Sequence, residues 1–187
     1  MTGGYLTDDA GSITSVSTAK LDALSDILDT MLAEGKKLVF LARFAPELDG
    51  IQELLKRKQI GYASVRGGVS DRAEEIRRFQ EDADCRVFVG QIAAAGLGIT
   101  LTAASTMVFY SLDYSMSNFE QAKARIHRVS QTENCLYIYL TAKHTVDTKI
   151  LRALRDKADL AKMLVDDYRN GSNPFQEGVW NANTEHV

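Results

Sequence analysis

The chain has 187 residues, 45% of them hydrophobic, and a formal net charge of −3. That size suits one domain with a two- or three-layer core, and the charge excludes any argument from overall electrostatics for binding nucleic acid or membrane. Acids dominate the first third (Asp8, Asp9, Asp22, Asp26, Asp29, Glu34), whereas bases gather at Lys56-Arg57-Lys58, Arg72-Arg77-Arg78 and Lys123-Arg125-Arg128, so a local positive face is open to the fold.

Cys85 and Cys135 stand apart in apolar runs, the pattern of buried free thiols in a reducing compartment. His127, His144 and His186 are too scattered for a metal site. With no signal peptide and no apolar run of membrane-spanning length, the sequence predicts a soluble cytoplasmic domain with no membrane partner.

Residues 1–17, rich in Gly, Ser, Thr and Asp and lacking a period, are expected to form a flexible leader. Leu21, Leu24, Leu28 and Met31 then recur at helical spacing, with Thr18 as N-cap and Gly35 as the stop. KLVFLA (37–42) reads as a strand, and Pro46 suits the first turn of a helix burying Leu48, Ile51 and Leu55. YASV (62–65) is a second strand. Ser70 is expected to cap a helix that buries Ile76 and Phe79, with Glu74 one turn before Arg78.

CRVFVG (85–90), TMVFYS (106–111) and CLYIYL (135–140) read as three further strands. A helix through residues 121–131 precedes the last of them. Val146, Ile150, Leu154, Ala158 and Ala161 mark a closing helix, and 166–187 is expected to be a tail carrying Phe175 and Trp180. Short apolar strands alternating with amphipathic helices predict a mainly parallel sheet covered on both faces, a three-layer α/β/α domain over 18–165. Ligands of such folds bind where the connecting loops gather at one sheet edge.

Three stretches offer chemistry. In QAKARIHRVSQ (121–131), helical spacing puts Phe119, Ala122, Ile126 and Val129 on one stripe and Gln121, Arg125 and Arg128 on another. Arginine forks bind phosphate or carboxylate bidentately, although on spacing alone a solvated polar face is the leading reading. GLGITLTAA (96–104) offers two glycines for close backbone approach and two hydroxyls, Thr100 and Thr102. A turn needing positive φ explains it equally, and the sequence is not a Walker A loop. SVRGGVSDR (64–72) leads into a helix N-terminus flanked by Arg66 and Arg72, an anion site or simply a turn. Arg43, at the end of the first strand, is equally open.

Order and combination go further. KLVFLARF, GGVSDRAEEIRRF, CRVFVGQIAAAGLGITLTAAS and MVFYSLDYSMSNFEQAKARIHRVSQ, in that order, resemble the second RecA-like lobe of superfamily-two helicases of the SWI/SNF type, from about Thr18 to Val165. GLGITLTAA resembles motif V. QAKARIHRVSQ resembles motif VI, Q-A-x-x-R-x-H-R-x-x-Q, filled here by Gln121, Ala122, Arg125, His127, Arg128 and Gln131.

The resemblance implies a RecA-like (P-loop NTPase-like) fold and half of an ATP-dependent DNA translocase. ATP and Mg²⁺ would be bound mainly by an N-terminal RecA-like lobe carrying the Walker A loop, which these 187 residues lack. This fragment alone is therefore expected not to hydrolyse ATP. Arg125 and Arg128 would be arginine fingers, Gln121 would position them, and Gly96 and Gly98 would line the nucleotide. Arg43, Arg66, Gly67 and Thr102 would face the backbone of duplex DNA, contacts that carry no sequence information.

Departures from the family pattern at Gly90-Gln91-Ile92, Ser105 and Asp113-Tyr114-Ser115-Met116 bear on the DNA side. They suggest a compact bacterial or phage-like, nucleoid-associated member. The alternative is a non-catalytic RecA-like module that binds nucleic acid or a partner. A small nucleotide-binding domain unrelated to motors leaves the ordered pair of motifs unexplained.

Overall fold

Against the expectation of a leader without regular structure, Tyr5–Thr7 (β1) and Ile13–Ser15 (β2) pair antiparallel, with Leu6 opposite Thr14. The computed structural model describes these two segments and residues 17–67, 71–93 and 98–169.

Helix α1 (Ala19–Ala33) begins after Thr18, whose hydroxyl donates to Asp22 (3.0 Å) instead of accepting a backbone N–H. It ends at Gly35, at φ +75°, where the N–H groups of Gly35 and Lys36 bond back to the carbonyls of Leu32 and Met31; glycine meets that left-handed requirement without strain. Strand β3 (Leu38–Ala42) is buried at every position. In α2 (Ala45–Arg57) Pro46 occupies the first turn, and Leu48, Ile51 and Leu55 are wholly buried as expected.

After β4 (Gly61–Val65) comes α3 (Arg72–Glu81). Ser70 lies outside the described residues, and the Asp71 carboxylate caps α3 by accepting the Glu74 N–H (3.2 Å). The expected Glu74–Arg78 pairing gives way to Arg77 on Glu74 and Arg78 on Glu75, both three residues apart. The chain continues through β5 (Cys85–Gln91), β6 (Thr106–Phe109), α4 (Met116–Lys123), β7 (Leu136–Tyr139) and α5 (Val146–Arg169). Ile150 and Leu154 of α5 are buried, but Ala161, expected inside, is exposed. Cys85 is buried; Cys135 is only half-buried.

The main sheet is five-stranded, in the order β4-β5-β3-β6-β7, and every pairing in it is parallel. Alternation along β3 sends Leu38, Phe40 and Ala42 to one face and Val39 and Leu41 to the other. The first face packs on Leu24 and Leu28 of α1 and Leu48 and Ile51 of α2. The second packs on Phe79 of α3, Phe119 of α4, and Ile150 and Leu154 of α5. Each fully buried Phe or Leu contributes about 2 kcal/mol. The architecture is three-layer α/β/α, and the sheet, expected mainly parallel, is wholly so.

This winding has one consequence for binding. From β3 the chain runs through α2, on the first face, to β4; from the neighbouring β6 it runs through α4, on the second face, to β7. The chain therefore leaves the C-terminal ends of two adjacent strands in opposite directions. Such a switch point opens a crevice where α/β folds bind ligands.

Candidate nucleotide and nucleic-acid interface

Helix α4 stops at Lys123 and does not continue through Gln131. The reason is tertiary. The Leu101 N–H donates to the Arg125 carbonyl (2.9 Å), and Gln131 Nε2 donates to the Ile126 carbonyl (3.2 Å). Both carbonyls would otherwise accept from the next helical turn.

The two expected stripes are therefore split. Gln121 remains on the helix, exposed, its amide bonded to Ser117 Oγ (3.1 Å). Arg125 is 8% exposed, Arg128 is at the surface, and Val129, expected on the apolar stripe, is fully exposed.

The turn is locked to the segment 98–104. Gln131 Nε2 also donates to the carbonyls of Thr102 (3.3 Å) and Ala104 (2.9 Å). From the other side Gln80 of α3 donates to the Thr100 carbonyl (3.1 Å) and accepts the Ala103 N–H (2.7 Å). Arg128 Nη2 reaches the carbonyls of Gly98 (3.5 Å) and Ile99 (3.3 Å). Arg128 and Gly98 thus meet, with Gly98 at φ +73°. Gly96 lies outside the described residues.

Arg125 lines a narrow apolar cavity with Leu41, Val65, Phe88, Gly90, Leu101 and Met107. Among the described residues its buried Nε has no hydrogen-bond partner and no carboxylate pairs with it. Burial first, and then the Arg128 charge, pull its guanidinium below the ordinary arginine range; it remains a cation at any working pH. Leaving a buried donor unsatisfied costs about 1–3 kcal/mol, and more when the group is charged. The arrangement suits an acceptor that comes from outside this lobe.

Of the four residues read toward DNA, three share an edge. Arg43 follows β3 and Arg66-Gly67 follow β4, so all three sit at the C-terminal ends of the parallel strands, with β5 between the two sets. Arg66 is paired with Asp49 (2.7 Å), and the Gly67 N–H donates to Gln91 Oε1 (3.3 Å). Thr102 is not in this group. It leads into the N-terminal end of β6, beside Gln80 and Gln131.

The sequence reading missed a buried chain at the same edge. The Arg43 N–H donates to Ser111 Oγ (2.8 Å), the Ser111 hydroxyl donates to Glu47 Oε2, and the Phe44 N–H donates to the same oxygen (3.1 Å). A glutamate three residues after a helix-entry position is the capping-box signal that marks it. It also missed the buried pair of Lys20 and Asp147 (2.6 Å), far apart in sequence and without any local signature.

Comparison with known proteins adds the context. Residues 19–130 match the family described as helicase conserved C-terminal domain. The chromatin-remodeling ATPase INO80 of Cryptococcus neoformans is 34% identical over 152 residues, which cover 80% of this chain and 9% of that protein. The mouse SWI/SNF-related matrix-associated actin-dependent regulator of chromatin subfamily A containing DEAD/H box 1 is 33% identical over 163 residues, covering 85% of this chain and 16% of that protein.

Among solved structures, the crystal structure of the C-terminal part of the Fun30 ATPase domain superposes with a TM-score of 0.69 at 28% identity, covering 72% of this chain and 45% of that one. The chain thus spans a small part of the length of its curated relatives. Those relatives are chromatin remodelers of eukaryotes, from fungi to a fly and a mouse. The expectation of a cytoplasmic, bacterial or phage-like protein is overturned by them. Among the described residues no helix is long and apolar enough to cross a membrane.

Proposed function

We propose, because this chain belongs to the helicase conserved C-terminal domain family as the C-terminal lobe of a SWI/SNF-type ATPase, that Arg125 and Arg128 serve as the arginine fingers of a two-lobed DNA translocase. The observation that carries this is the buried Arg125, whose Nε has no hydrogen-bond partner among the described residues and which lies one short turn from the exposed Arg128. A cation kept ready in a site of low polarity stabilises developing phosphoryl charge far better than one in water.

The side chains present fit a nucleotide phosphate: two guanidiniums, one of which, Arg128, rests on the Gly98 and Ile99 carbonyls. Oxygen-rich clusters suit Mg²⁺, and we assign that ion to the first lobe. ATP supplies the phosphoryl group and the free energy of its transfer. This lobe's own part is to hold the Arg125–Gln131 turn still, through the three carbonyl bonds of Gln131, and to present the fingers when the lobes close. Gln121 sits on α4, which ends before either arginine, and its amide is held by Ser117. Arg43, Arg66 and Gly67 contact the duplex backbone, and Arg66 exchanges Asp49 for a phosphate as it does so.

The test is Arg128→Ala in the full-length, two-lobed protein. Turnover stimulated by DNA should fall by at least about 10³-fold with nucleotide affinity little changed, and this chain alone should show none. Undiminished turnover by Arg128→Ala, or turnover by the lobe alone, would remove the reading in favour of a different catalytic arrangement.

A further inference from the structure

Both arginines of the candidate site are seated on residues 98–104, a segment with no strand or helix of its own. Arg125 is attached by its carbonyl, which accepts the Leu101 N–H (2.9 Å), and Arg128 by its guanidinium, which rests on the Gly98 and Ile99 carbonyls. The direction of these peptide groups therefore governs where the two guanidiniums can lie.

Packing alone does not fix that direction. Ile99, Leu101 and Ala104 are buried in the core on the second face of the sheet and hold the segment down, but apolar contact is non-directional. Hydrogen bonds from two glutamine amides supply the orientation. Gln131 belongs to the arginine turn itself, so its bonds join turn and segment and leave the pair free to shift together.

Gln80 belongs to a different element, α3, and its amide is used at both ends. Nε2 donates to the Thr100 carbonyl (3.1 Å) and lies 3.5 Å from Thr102 Oγ1, while Oε1 accepts the Ala103 N–H (2.7 Å). The support behind Gln80 is firm, although it stands in the last turn of a helix, where fraying is usual. Phe79 beside it is wholly buried, edge-on to Phe88 of β5 with centroids 5.6 Å apart. Lys37 Nζ, just before β3, donates to the Phe79 (2.6 Å) and Asp82 (2.7 Å) carbonyls. The helix end from which Gln80 reaches is thus pinned to the sheet.

We infer that Gln80 is a positioning residue for ATP turnover: it ties the seat of Arg125 and Arg128 to α3 and the sheet, and so sets where the fingers stand when the lobes close. This rests on the reading of the two arginines as fingers. A cation helps a reacting phosphoryl group only when held to within a fraction of an ångström of its working place, and an irregular segment gives no such constancy by itself.

The experiment is steady-state, DNA-stimulated ATP turnover by the full-length, two-lobed protein. In Gln80→Leu kcat should fall between about 10- and 10²-fold, the loss that a misplacement of about 1 Å brings, with the KM for ATP and the affinity for DNA unchanged. Gln80→Glu keeps an oxygen for the Ala103 N–H but cannot donate to the Thr100 carbonyl as a carboxylate, so its kcat should fall less; if Gln80→Leu does not fold, this variant carries the test. In an Arg128→Lys background, already short of its full finger, Gln80→Leu should add little further loss.

Wild-type kcat in both Gln80 variants overturns the inference and leaves the finger reading standing. So does a loss shared among kcat, KM and DNA affinity, which marks general loosening of the lobe, or a loss that multiplies in full with Arg128→Lys, which marks a route independent of the finger. Normal turnover by Arg128→Ala removes the finger reading itself, and this inference with it.

Discussion

Lys20 Nζ lies 2.6 Å from Asp147 Oδ2 and 2.9 Å from the Tyr110 carbonyl, with both charged side chains almost out of solvent. One ammonium thereby ties the start of α1 to the start of α5 and to the end of β6. Lys20→Met should cost about 3–5 kcal/mol, because it leaves the Asp147 carboxylate buried and unpaired. Lys20→Met combined with Asp147→Leu should recover much of that loss. Recovery should be incomplete, since Asp147 also accepts the Ala142 N–H (3.0 Å). Urea midpoints of the three variants check this; a double variant as unstable as the single one would show that the pair matters for something other than charge.

Burial pushes the Glu47 carboxyl above its ordinary value of 4.5, outweighing the opposite pull of the Ser111 hydroxyl and the Phe44 N–H. A carboxyl whose pKa is raised by folding binds its proton more tightly in the folded state. Stability is then unaffected well below 4.5 and falls as the pH rises through the folded pKa. Glu47→Gln cannot ionise, so its stability relative to wild type should climb as the pH is raised from acid toward neutrality. Denaturation curves at stepped pH test this, and a flat or falling difference would refute it.

The two glutamine amides on the 98–104 segment should be separable by hydrogen exchange. Gln80→Leu removes the acceptor of the Ala103 N–H, bonded at 2.7 Å, and should speed exchange at that amide with little effect elsewhere. Gln131→Leu strands three carbonyls and should cost about 2–3 kcal/mol, with faster exchange at Leu101, whose partner is the Arg125 carbonyl. Exchange at Ala103 that ignores Gln80→Leu would mean another acceptor takes over.

Strands and helices were largely legible because each crosses a core boundary with a clean period. Leu48, Ile51 and Leu55 are spaced as a helix buries them, and β3 is apolar throughout because helices cover both its faces. Failures came where a local signal met a tertiary donor. Val129 falls on the helical period of Phe119, Ala122 and Ile126, yet the N–H of Leu101, 24 residues before the Arg125 carbonyl it binds, ends the helix before that period is completed. No window around residue 125 contains this information. The paired strands in 1–17 were missed because three-residue strands are too short to show alternation. The pairings of Lys20 and Glu47 were invisible for a related reason: their partners lie 127 and 64 positions away.

The covered position of Arg125 has a consequence for the lobe at rest. Cells are full of small anions, and two open guanidiniums side by side would collect them. Here free phosphate or an acidic peptide meets only Arg128, and a single exposed cation holds an anion loosely in salt. In the proposed two-lobed motor the second cation would come into play only when the partner lobe brings the anion to it. Such a half-site would stay clean between encounters, because it would be selective about when it binds as well as what.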